Sequence, residues 1–330
     1  MGEGLRYCVI IPVRPDQEEI SALVALREAD VDGRRVEVLV ARGQSPSAQR
    51  NAAIREAKAD ILLFLDDDSR VHPSLFKVLD EHFQDETIHG VGGPNLGSSD
   101  ASPWATAKDL SLTSAVGAPR VRARYVAVGT ARDATEDDLI LCNFAIRRDV
   151  FQRESPFDER LYPNEENELF HRLTSRGIRL VYDPQAVVYR RRAEGPWRFS
   201  KRIARYGRGR MEQTLYHPSV SGFFHLLPLG LLGLLLLTVF WPSHLWWCLW
   251  GAYSTVLGAE AARCSWKAKR PLLFPLVVQF LLSLHFSYAV GMFLGFLGFP
   301  WRWRRRPRTA AVVERAKDFD VPFSGERGEK

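Results

Sequence analysis

Residues 223–240 form a run of 18 residues without a charged side chain. A helix of that length spans about 27 Å, close to the thickness of the hydrocarbon core of a bilayer. Hydrophobic sequence continues from residue 219 to residue 300, and its charged residues are confined to Glu260, Arg263, Lys267, Lys269 and Arg270. We therefore expect three parts: a water-facing domain over residues 1–218, a transmembrane region of two to three helices over 219–300, and a basic, flexible tail over 301–330.

Two further hydrophobic segments follow the first. Residues 245–262 are rich in Trp and Tyr, and residues 271–299 form a segment of 29 residues, about 44 Å as a helix and longer than one upright crossing needs. With the first domain in the cytoplasm, the first two segments return basic residues 263–270 to that side, as the positive-inside rule requires. A third crossing would place residues 302–308 outside, against the rule, so the sequence leaves open whether the third segment crosses, re-enters or lies in the interface.

The net charge of +6 is unevenly distributed along the chain. Residues 1–189 contain 23 basic and 31 acidic residues, whereas residues 190–210 contain nine basic residues and one acidic residue. The four cysteines show no CxxC spacing, which disfavours a zinc site and a disulfide framework. The short apolar run near the N-terminus contains Pro12 and lacks the small-residue cleavage site of a signal peptide, so we expect the first domain to be cytoplasmic.

Short apolar runs alternate with helical patterns in the first 65 residues. The runs are residues 7–13, 36–40 and 61–65, and the helical patterns cover 15–29 and 47–59. Continuous apolar strands between helices are typical of a parallel α/β sheet with both faces covered. Further along, we expect strands at 88–91, 139–146, 178–182 and 186–189 and helices at 73–83, 165–176 and 195–216. Residues 104–138 carry no clear pattern.

Three consecutive carboxylates, Asp66, Asp67 and Asp68, follow the apolar run 61–65. Ligands bind at the carboxyl ends of strands in open α/β sheets, and adjacent acids repel one another unless a cation lies among them. Oxygen ligands of this kind suit a hard divalent metal ion that bridges phosphates. The alternative is a solvated acidic loop before the next helix.

Two more charged clusters accompany these acids. Glu165, Glu166 and Glu168 open the predicted helix 165–176, with Asn164 as its N-cap, so their charge complements the helix dipole. That explanation accounts for Glu168, which can pair with Arg172, but leaves the tandem Glu165 and Glu166 unexplained. Arginines at 190–192 suit phosphate recognition, whereas the basic residues of 205–210 can serve either a phosphate or anionic lipid beside a membrane helix.

Four blocks in order, YCVIIPVRPDQE, SAQRNAAIREAKADILLFLDDDS, YPNEENELFHRL and RYGRGR, resemble the membrane-bound, family 2 inverting glycosyltransferases related to dolichyl-phosphate mannose synthase and cellulose synthase. The resemblance covers about residues 6–216. It implies an α/β fold of the GT-A type, a Rossmann-like nucleotide-diphospho-sugar transferase domain, followed by the C-terminal transmembrane helices.

The resemblance also implies roles for individual residues. Asp66 and Asp68 match the DxD motif, in which the first acid faces the ribose and the last holds Mg²⁺ or Mn²⁺ on the diphosphate. Glu166 takes the place of the general base that deprotonates the acceptor hydroxyl, with Glu165 beside it. The remaining residues of the implied donor site are Pro12, Glu18, Arg50, Asp67, Arg190, Arg205 and Tyr206.

Three departures from the family pattern accompany the resemblance. The second strand ends in Arg42 and Gly43 where relatives carry an Asp-rich turn for the nucleobase, the catalytic pair is Glu-Glu instead of Glu-Asp, and Tyr189 and arginines stand where many members have His. We expect a metal-dependent glycosyltransferase of the inner cell membrane, multi-pass, with a cytoplasmic catalytic domain. It would act in envelope polysaccharide synthesis, transferring from a UDP-sugar in preference to a GDP-sugar to a lipid-linked or glycan acceptor.

Two alternatives stay open from the sequence. One is a polyprenyl-phosphate glycosyltransferase, whose acceptor oxygen belongs to a phosphate and needs less help from a base. The other is a non-catalytic nucleotide-sugar-binding membrane protein, which the missing Asp of the second strand would favour. Membrane lipids are an expected partner. Nucleic acid is not, because the arginine cluster adjoins a membrane helix.

Overall fold

The computed structural model describes residues 6–29, 35–97, 102–190, 195–216, 226–302 and 311–316. The chain divides into two compact units. The first contains Met1–Leu96, Val126–Arg191 and Pro307–Lys330, and the second contains Gly97–Tyr125 and Arg192–Arg306. This division differs from the expected boundary at residue 218, because residues 97–125 and the basic helix that precedes the hydrophobic region belong with the hydrophobic helices.

The first unit is built on a mixed sheet of eight strands with the order β11-β2-β1-β3-β8-β5-β9-β7, beside a three-stranded sheet with the order β4-β10-β6. The strands are β1 Arg6–Val13, β2 Arg35–Arg42, β3 Ile61–Leu65, β4 Ser69–Val71, β5 Gly90–Gly92, β6 Asn95–Gly97, β7 Arg132–Asp133, β8 Asn143–Arg147, β9 Leu180–Tyr182, β10 Val188–Arg190 and β11 Val312–Arg315.

Eleven α-helices occur in the described part of the chain. Those of the first unit are α1 Ser21–Glu28, α2 Pro46–Glu56, α3 Leu75–Phe83, α5 Val150–Arg153 and α6 Glu165–Ser175. Those of the second unit are α4 Pro103–Leu112, α7 Pro196–Tyr216, α8 Leu227–Phe240, α9 His244–Lys267, α10 Phe274–Leu282 and α11 Tyr288–Arg302.

The predicted parallel sheet is confirmed at its centre, where β1 pairs in parallel with both β2 and β3. Beyond β3 the pairing changes, because β8 runs antiparallel to both β3 and β5. Alternate residues of β1, namely Tyr7, Val9 and Ile11, are fully buried in one core with residues of α1 and α3. Cys8 and Ile10 between them are fully buried as well, so β1 is covered on both faces, as expected for a central strand of a parallel sheet.

The second unit contains the hydrophobic segments as helices. A turn of 3₁₀ helix, Pro271–Leu273, leads into α10, and one turn of π-helix, Ser283–Ser287, joins α10 to α11. In the described part of the chain, Pro271–Phe299 is the one helical segment long and apolar enough to cross a membrane, and Leu227–Phe240 is a shorter apolar helix. The predicted residues 223–225 at the start of the first hydrophobic segment lie outside the described residues.

Part of the segment expected to be a flexible tail is a strand. β11 pairs antiparallel with β2 at the edge of the large sheet, with Val313 opposite Ala41. Two ion pairs flank the ladder: Arg42 Nε lies 3.0 Å from Glu314 Oε2, and Arg315 Nη1 lies 2.5 Å from Glu37 Oε2. The tail is therefore ordered at this point because it covers the exposed hydrogen-bonding edge of β2.

Candidate active site

The three carboxylates follow β3, whose five residues are all buried. A tight turn closes the strand: the backbone N–H of Asp66 donates to Ser69 Oγ at 3.0 Å, and the backbone N–H of Ser69 donates to the Asp66 carbonyl oxygen at 3.1 Å. The apolar strand is thus anchored in the core while its acidic end reaches the carboxyl edge of the sheet. The sequence prediction of this strand and of its acidic end is confirmed in position.

Arg190 lies between Asp66 and Asp68. Its Nη1 is 2.6 Å from Asp66 Oδ2 and its Nε is 2.6 Å from Asp68 Oδ1. The contact follows from strand pairing, because β10 runs antiparallel to β4 and places Arg190 opposite Ser69. Burial raises the pKa of Asp68 above its ordinary value of 3.8, and the guanidinium of Arg190 counteracts part of that rise.

Arg50 joins the acidic strand end to the acidic helix. Its Nη1 is 3.0 Å from Glu165 Oε1, and its Nη2 is 3.5 Å from Asp66 Oδ1. Both Arg50 and Glu165 are buried. Burial raises the pKa of Glu165 above 4.5, with the charge of Glu166 adding to the rise and Arg50 opposing it. Charges alternate in this network, in which two guanidinium groups separate three carboxylates.

Glu166 is partly exposed on the first turn of α6. Its Oε2 accepts a hydrogen bond of 3.0 Å from the backbone N–H of Leu141. Leu141 lies two residues before Asn143, which pairs with Leu65 at the end of β3. Glu166 and Asp66 therefore lie at one edge of the sheet.

The buried thiol of Cys142 lies close to both acids. Burial raises its pKa to about 12, and the negative charges of Asp66 and Glu166 contribute to that rise. The raised pKa keeps this thiol neutral, and its Sγ accepts a hydrogen bond of 2.8 Å from Asn95 Nδ2. Cys142 is a residue of the site that spacing alone did not reveal.

The loop between β1 and α1 contacts the middle acid. Gln17 Nε2 donates to Asp67 Oδ2 at 2.5 Å, and Arg42 Nη1 donates to the Gln17 carbonyl oxygen at 2.6 Å. Pro12 lies in β1 opposite Ala41, and Glu18 is exposed in the loop. The loop is at the predicted place, but Gln17 makes the contact with the acidic cluster.

Other predicted residues lie farther along the chain. Arg205 and Tyr206 are exposed on α7 in the second unit, so their role in donor binding stays a prediction. Arg191 and Arg192 lie outside the described residues. Asn143 was not predicted: it is buried, and its Nδ2 donates to the carbonyl oxygens of Pro94 at 3.0 Å and Ala186 at 2.7 Å. Its signal is only that a polar residue opens an apolar strand.

The donor set allows a test of the expected metal ion. Over the described residues, no group of three or more His, Cys, Asp or Glu side chains forms a ready metal site. Mg²⁺ typically binds through one or two carboxylates, with waters and substrate phosphates completing its coordination. Asp66 and Asp68 fit an ion that arrives with a diphosphate, and Arg190 competes with such an ion for the two carboxylates.

Comparison with solved structures supports the fold through one match, to a mannosyltransferase. The mannosyltransferase PcManGT from Pyrobaculum calidifontis, solved with GDP-Man and Mn²⁺, is 14% identical with a TM-score of 0.54, and the match covers 90% of this chain and 88% of that one. S. aureus TarS 1–349, solved with UDP-GlcNAc, is 14% identical with a TM-score of 0.44, covering 89% and 92%. A longer S. aureus TarS structure is 15% identical with a TM-score of 0.40, and the match covers 62% of this chain but only 39% of that one.

Sequence comparison identifies the family. A search among curated proteins finds no match. The family described as glycosyltransferase like family 2 matches residues 5–209, which include every charged group of the site described above. The chain therefore belongs to glycosyltransferase family 2 and is a glycosyltransferase.

Proposed function

We propose that the protein transfers a sugar, with inversion at the anomeric carbon, from a nucleotide-diphosphate sugar to a lipid-linked or polysaccharide acceptor at a membrane. The observation that carries this proposal is the division of charge at one sheet edge. Asp66 and Asp68 contact the guanidinium of Arg190 at the end of β3, and Glu166 is a partly exposed carboxylate on another element, α6, anchored there by a backbone N–H. Inverting transfer needs such separate groups for the leaving diphosphate and for the acceptor.

On the donor side, Arg190 is the group suited to bind the diphosphate. A guanidinium binds phosphate oxygens through two parallel hydrogen bonds, and Arg190 already has two of its nitrogens directed at oxygens. Asp66 and Asp68 would hold Mg²⁺ or Mn²⁺, which neutralises charge on the departing diphosphate when bound. The Mn²⁺ in the structure of the mannosyltransferase supports this choice of ion.

On the acceptor side, Glu166 is the general base. Its Oε2 accepts a hydrogen bond from the backbone N–H of Leu141, and the side chain is partly exposed, so that an acceptor hydroxyl can reach it. Glu165 has a different role, because it is buried and bound to Arg50. We assign Glu165 a positioning role. It holds Arg50 between α6 and Asp66, so that the start of α6 stays fixed relative to the end of β3.

The membrane part of the proposal rests on exposed apolar surface in the second unit. Phe240, Trp241 and Trp247 are 80%, 75% and 63% exposed, and large apolar surface of this kind is costly in water. The enzyme would lie at the inner cell membrane with its catalytic unit in the cytoplasm. A UDP-sugar is the first donor to test and a GDP-sugar the second.

The proposal is tested with detergent-purified protein. Thermal shift against UDP- and GDP-sugars, with and without Mn²⁺, identifies the donor because a ligand stabilises the state that binds it. Asp68→Ala should abolish the metal-dependent part of that shift. Glu81→Gln, which removes an exposed carboxylate on α3, is the matched control and should behave as the wild type. A wild type that no nucleotide-sugar stabilises under any metal condition would refute the proposed donor class.

A further inference from the structure

The helical segment 271–299 has two unlike faces. Its inner face is buried in the second unit, and its outer face is exposed and apolar. The buried residues include Val277, Phe280, Leu281, Leu284, Ala289 and Met292, and the exposed ones include Leu282, Val290, Phe293, Leu294, Phe296 and Leu297. A lone membrane-spanning helix would expose apolar residues on all sides, so this segment is also a packing partner of other helices.

The inner face of α11 contacts α7 backbone to backbone. A Cβ added at Gly291 would overlap the Ala204 carbonyl oxygen, and one added at Gly207 would overlap the Tyr288 carbonyl oxygen. One turn further on, Gly295 lies against the backbone of Arg208. Small residues at such positions let two helices approach closely over several turns. Consequently α7 and α11 share one depth where residues 204–208 meet residues 288–295.

The depth of α7 is set by its charges. Arg198, Lys201 and Arg205 are exposed on this helix, and a Lys or Arg at the bilayer centre costs about 2.5–3.5 kcal/mol even on the mildest scale. Trp197 is 71% exposed, and Lys201 Nζ lies 5.0 Å from its ring centroid. Basic side chains mixed with exposed Trp and Tyr are typical of helices that lie in the headgroup region. Thus α7, and α11 with it, belongs at the membrane surface.

The middle of segment 271–299 contacts a polar part of the same unit. His285 Nε2 is 2.9 Å from the Val116 carbonyl oxygen, and Ser111 Oγ donates to the Val277 carbonyl oxygen at 3.3 Å. The loop that follows Val116 also contains the exposed residues Arg120 and Arg122. Charged loop sequence of this kind is excluded from the hydrocarbon region. These contacts join the centre of the segment to this polar stretch, and His285 Nδ1 also lies 2.9 Å from Tyr253 Oη of α9.

Strand β11 supplies an independent argument from chain connectivity. This strand follows the last hydrophobic segment along the chain, and it pairs with β2 in the first unit. Residues 126–190 and 311–316 belong to the same folded unit, so the chain between them must cross a membrane an even number of times. Three crossings by three hydrophobic segments are therefore impossible. The segments α8 and α9 are joined by a three-residue turn, and Trp250 Nε1 donates to Thr238 Oγ1 at 2.9 Å, so they form a hairpin.

We infer that residues 271–299 do not span the bilayer but lie along the cytoplasmic membrane surface, with α7 at the headgroups of anionic lipid. The α8–α9 hairpin is then the inserted element. This inference rests on the membrane association in the proposed function, and it assigns a lipid-binding role to the segment that, among the described residues, length and hydropathy favour as a span.

The first test determines on which side the two ends lie. Full-length protein carrying one epitope tag at each terminus is inserted into inverted membrane vesicles and treated with protease. We expect both tags to be cleaved from the cytoplasmic side. Tags on opposite faces would overturn the inference while leaving transferase activity, assayed on the same vesicles, intact. Loss of transferase activity with both tags on one side would instead contradict the proposed function. A protein that does not float with the vesicles would contradict both the proposed membrane association and the surface position of residues 271–299.

The second test measures depth along the segment. Single cysteines replace the exposed residues Phe274, Leu282, Val290 and Leu297 in a Cys248→Ser background, and each is labelled with an environment-sensitive fluorophore. Brominated lipids then report depth by quenching. The four labelled positions span about 35 Å along the helix. If the helix crossed the bilayer, the measured depth would therefore change from one label to the next, from one membrane surface to the centre and beyond. We expect one shallow depth for all four, with a label on native Cys248 in α9, which is exposed, as the deeper control.

Discussion

Removal of Arg190 should change how tightly the protein binds a divalent cation in the absence of donor. Arg190 makes two contacts of 2.6 Å, one to Asp66 and one to Asp68. A hydrogen bond to a charged group contributes about 1.5–3 kcal/mol, and we take the lower value because the Arg190 side chain is 30% exposed. A cation that binds these two carboxylates either displaces a contact of Arg190 or is repelled by its charge, and both cost free energy. Arg190→Gln removes that cost, so Mn²⁺ should bind about tenfold more tightly.

The assay is a titration of purified protein with Mn²⁺ followed by electron paramagnetic resonance. Arg70→Gln is the matched control, since it removes an exposed guanidinium from the neighbouring strand β4. It should leave the Mn²⁺ affinity within about twofold of the wild type, because long-range surface charge is screened by salt. With donor present the order should reverse, because Arg190→Gln has lost a diphosphate partner. Unchanged or weaker Mn²⁺ binding by Arg190→Gln would refute the competition between arginine and metal.

Three further predictions concern the fold around the site and the membrane unit. Burial raises the pKa of Glu165, so folding favours its protonated form. As the pH rises from 4.5 through the raised pKa, the melting temperature of the wild type should therefore fall relative to that of Glu165→Gln. A difference in melting temperature that does not change with pH would contradict this. Gly291→Ala should lower the free energy of unfolding by about 1–3 kcal/mol, because the added methyl group overpacks the contact. In the control Gly233→Ala nothing lies within 4 Å of the added Cβ, so its stability should be unchanged or higher. Equal denaturation midpoints for the two variants would contradict the close packing. Glu314→Pro removes a backbone donor on the side of β11 that faces Val40 of β2 and should lower the melting temperature; a melting temperature equal to that of the wild type would disprove this.

Much of the central sheet follows from local sequence. The apolar run 61–65 forms β3 with the same bounds, because a continuous run of apolar residues is typical of a strand that is buried on both faces. The acidic end of that strand was predicted for the same reason. By contrast, β11 has four residues and pairs with a strand some 270 positions away, so no local pattern could show it.

The site shows the same limit. Asp66, Asp68 and Glu166 stand out because acidic residues cluster at element boundaries, whereas Gln17, Cys142 and Asn143 are single residues whose importance comes from partners far along the chain. Residues 104–138 carried no pattern because α4 is short and its environment is another helix of the second unit. Arg190 was predicted as a phosphate ligand from its charge, but its position between two carboxylates depends on the pairing of β10 with β4.

The most direct measurement compares donor binding with sugar transfer in Glu166→Gln. Donor affinity is measured by calorimetry and transfer by single turnover, on the same protein with Mn²⁺ present. The account predicts unchanged donor affinity and a loss of about 10²–10⁴-fold in the rate of transfer, because Glu166 removes the acceptor proton and does not hold the donor. Transfer at close to the wild-type rate, with the donor bound normally, would contradict the assignment of Glu166 as the base.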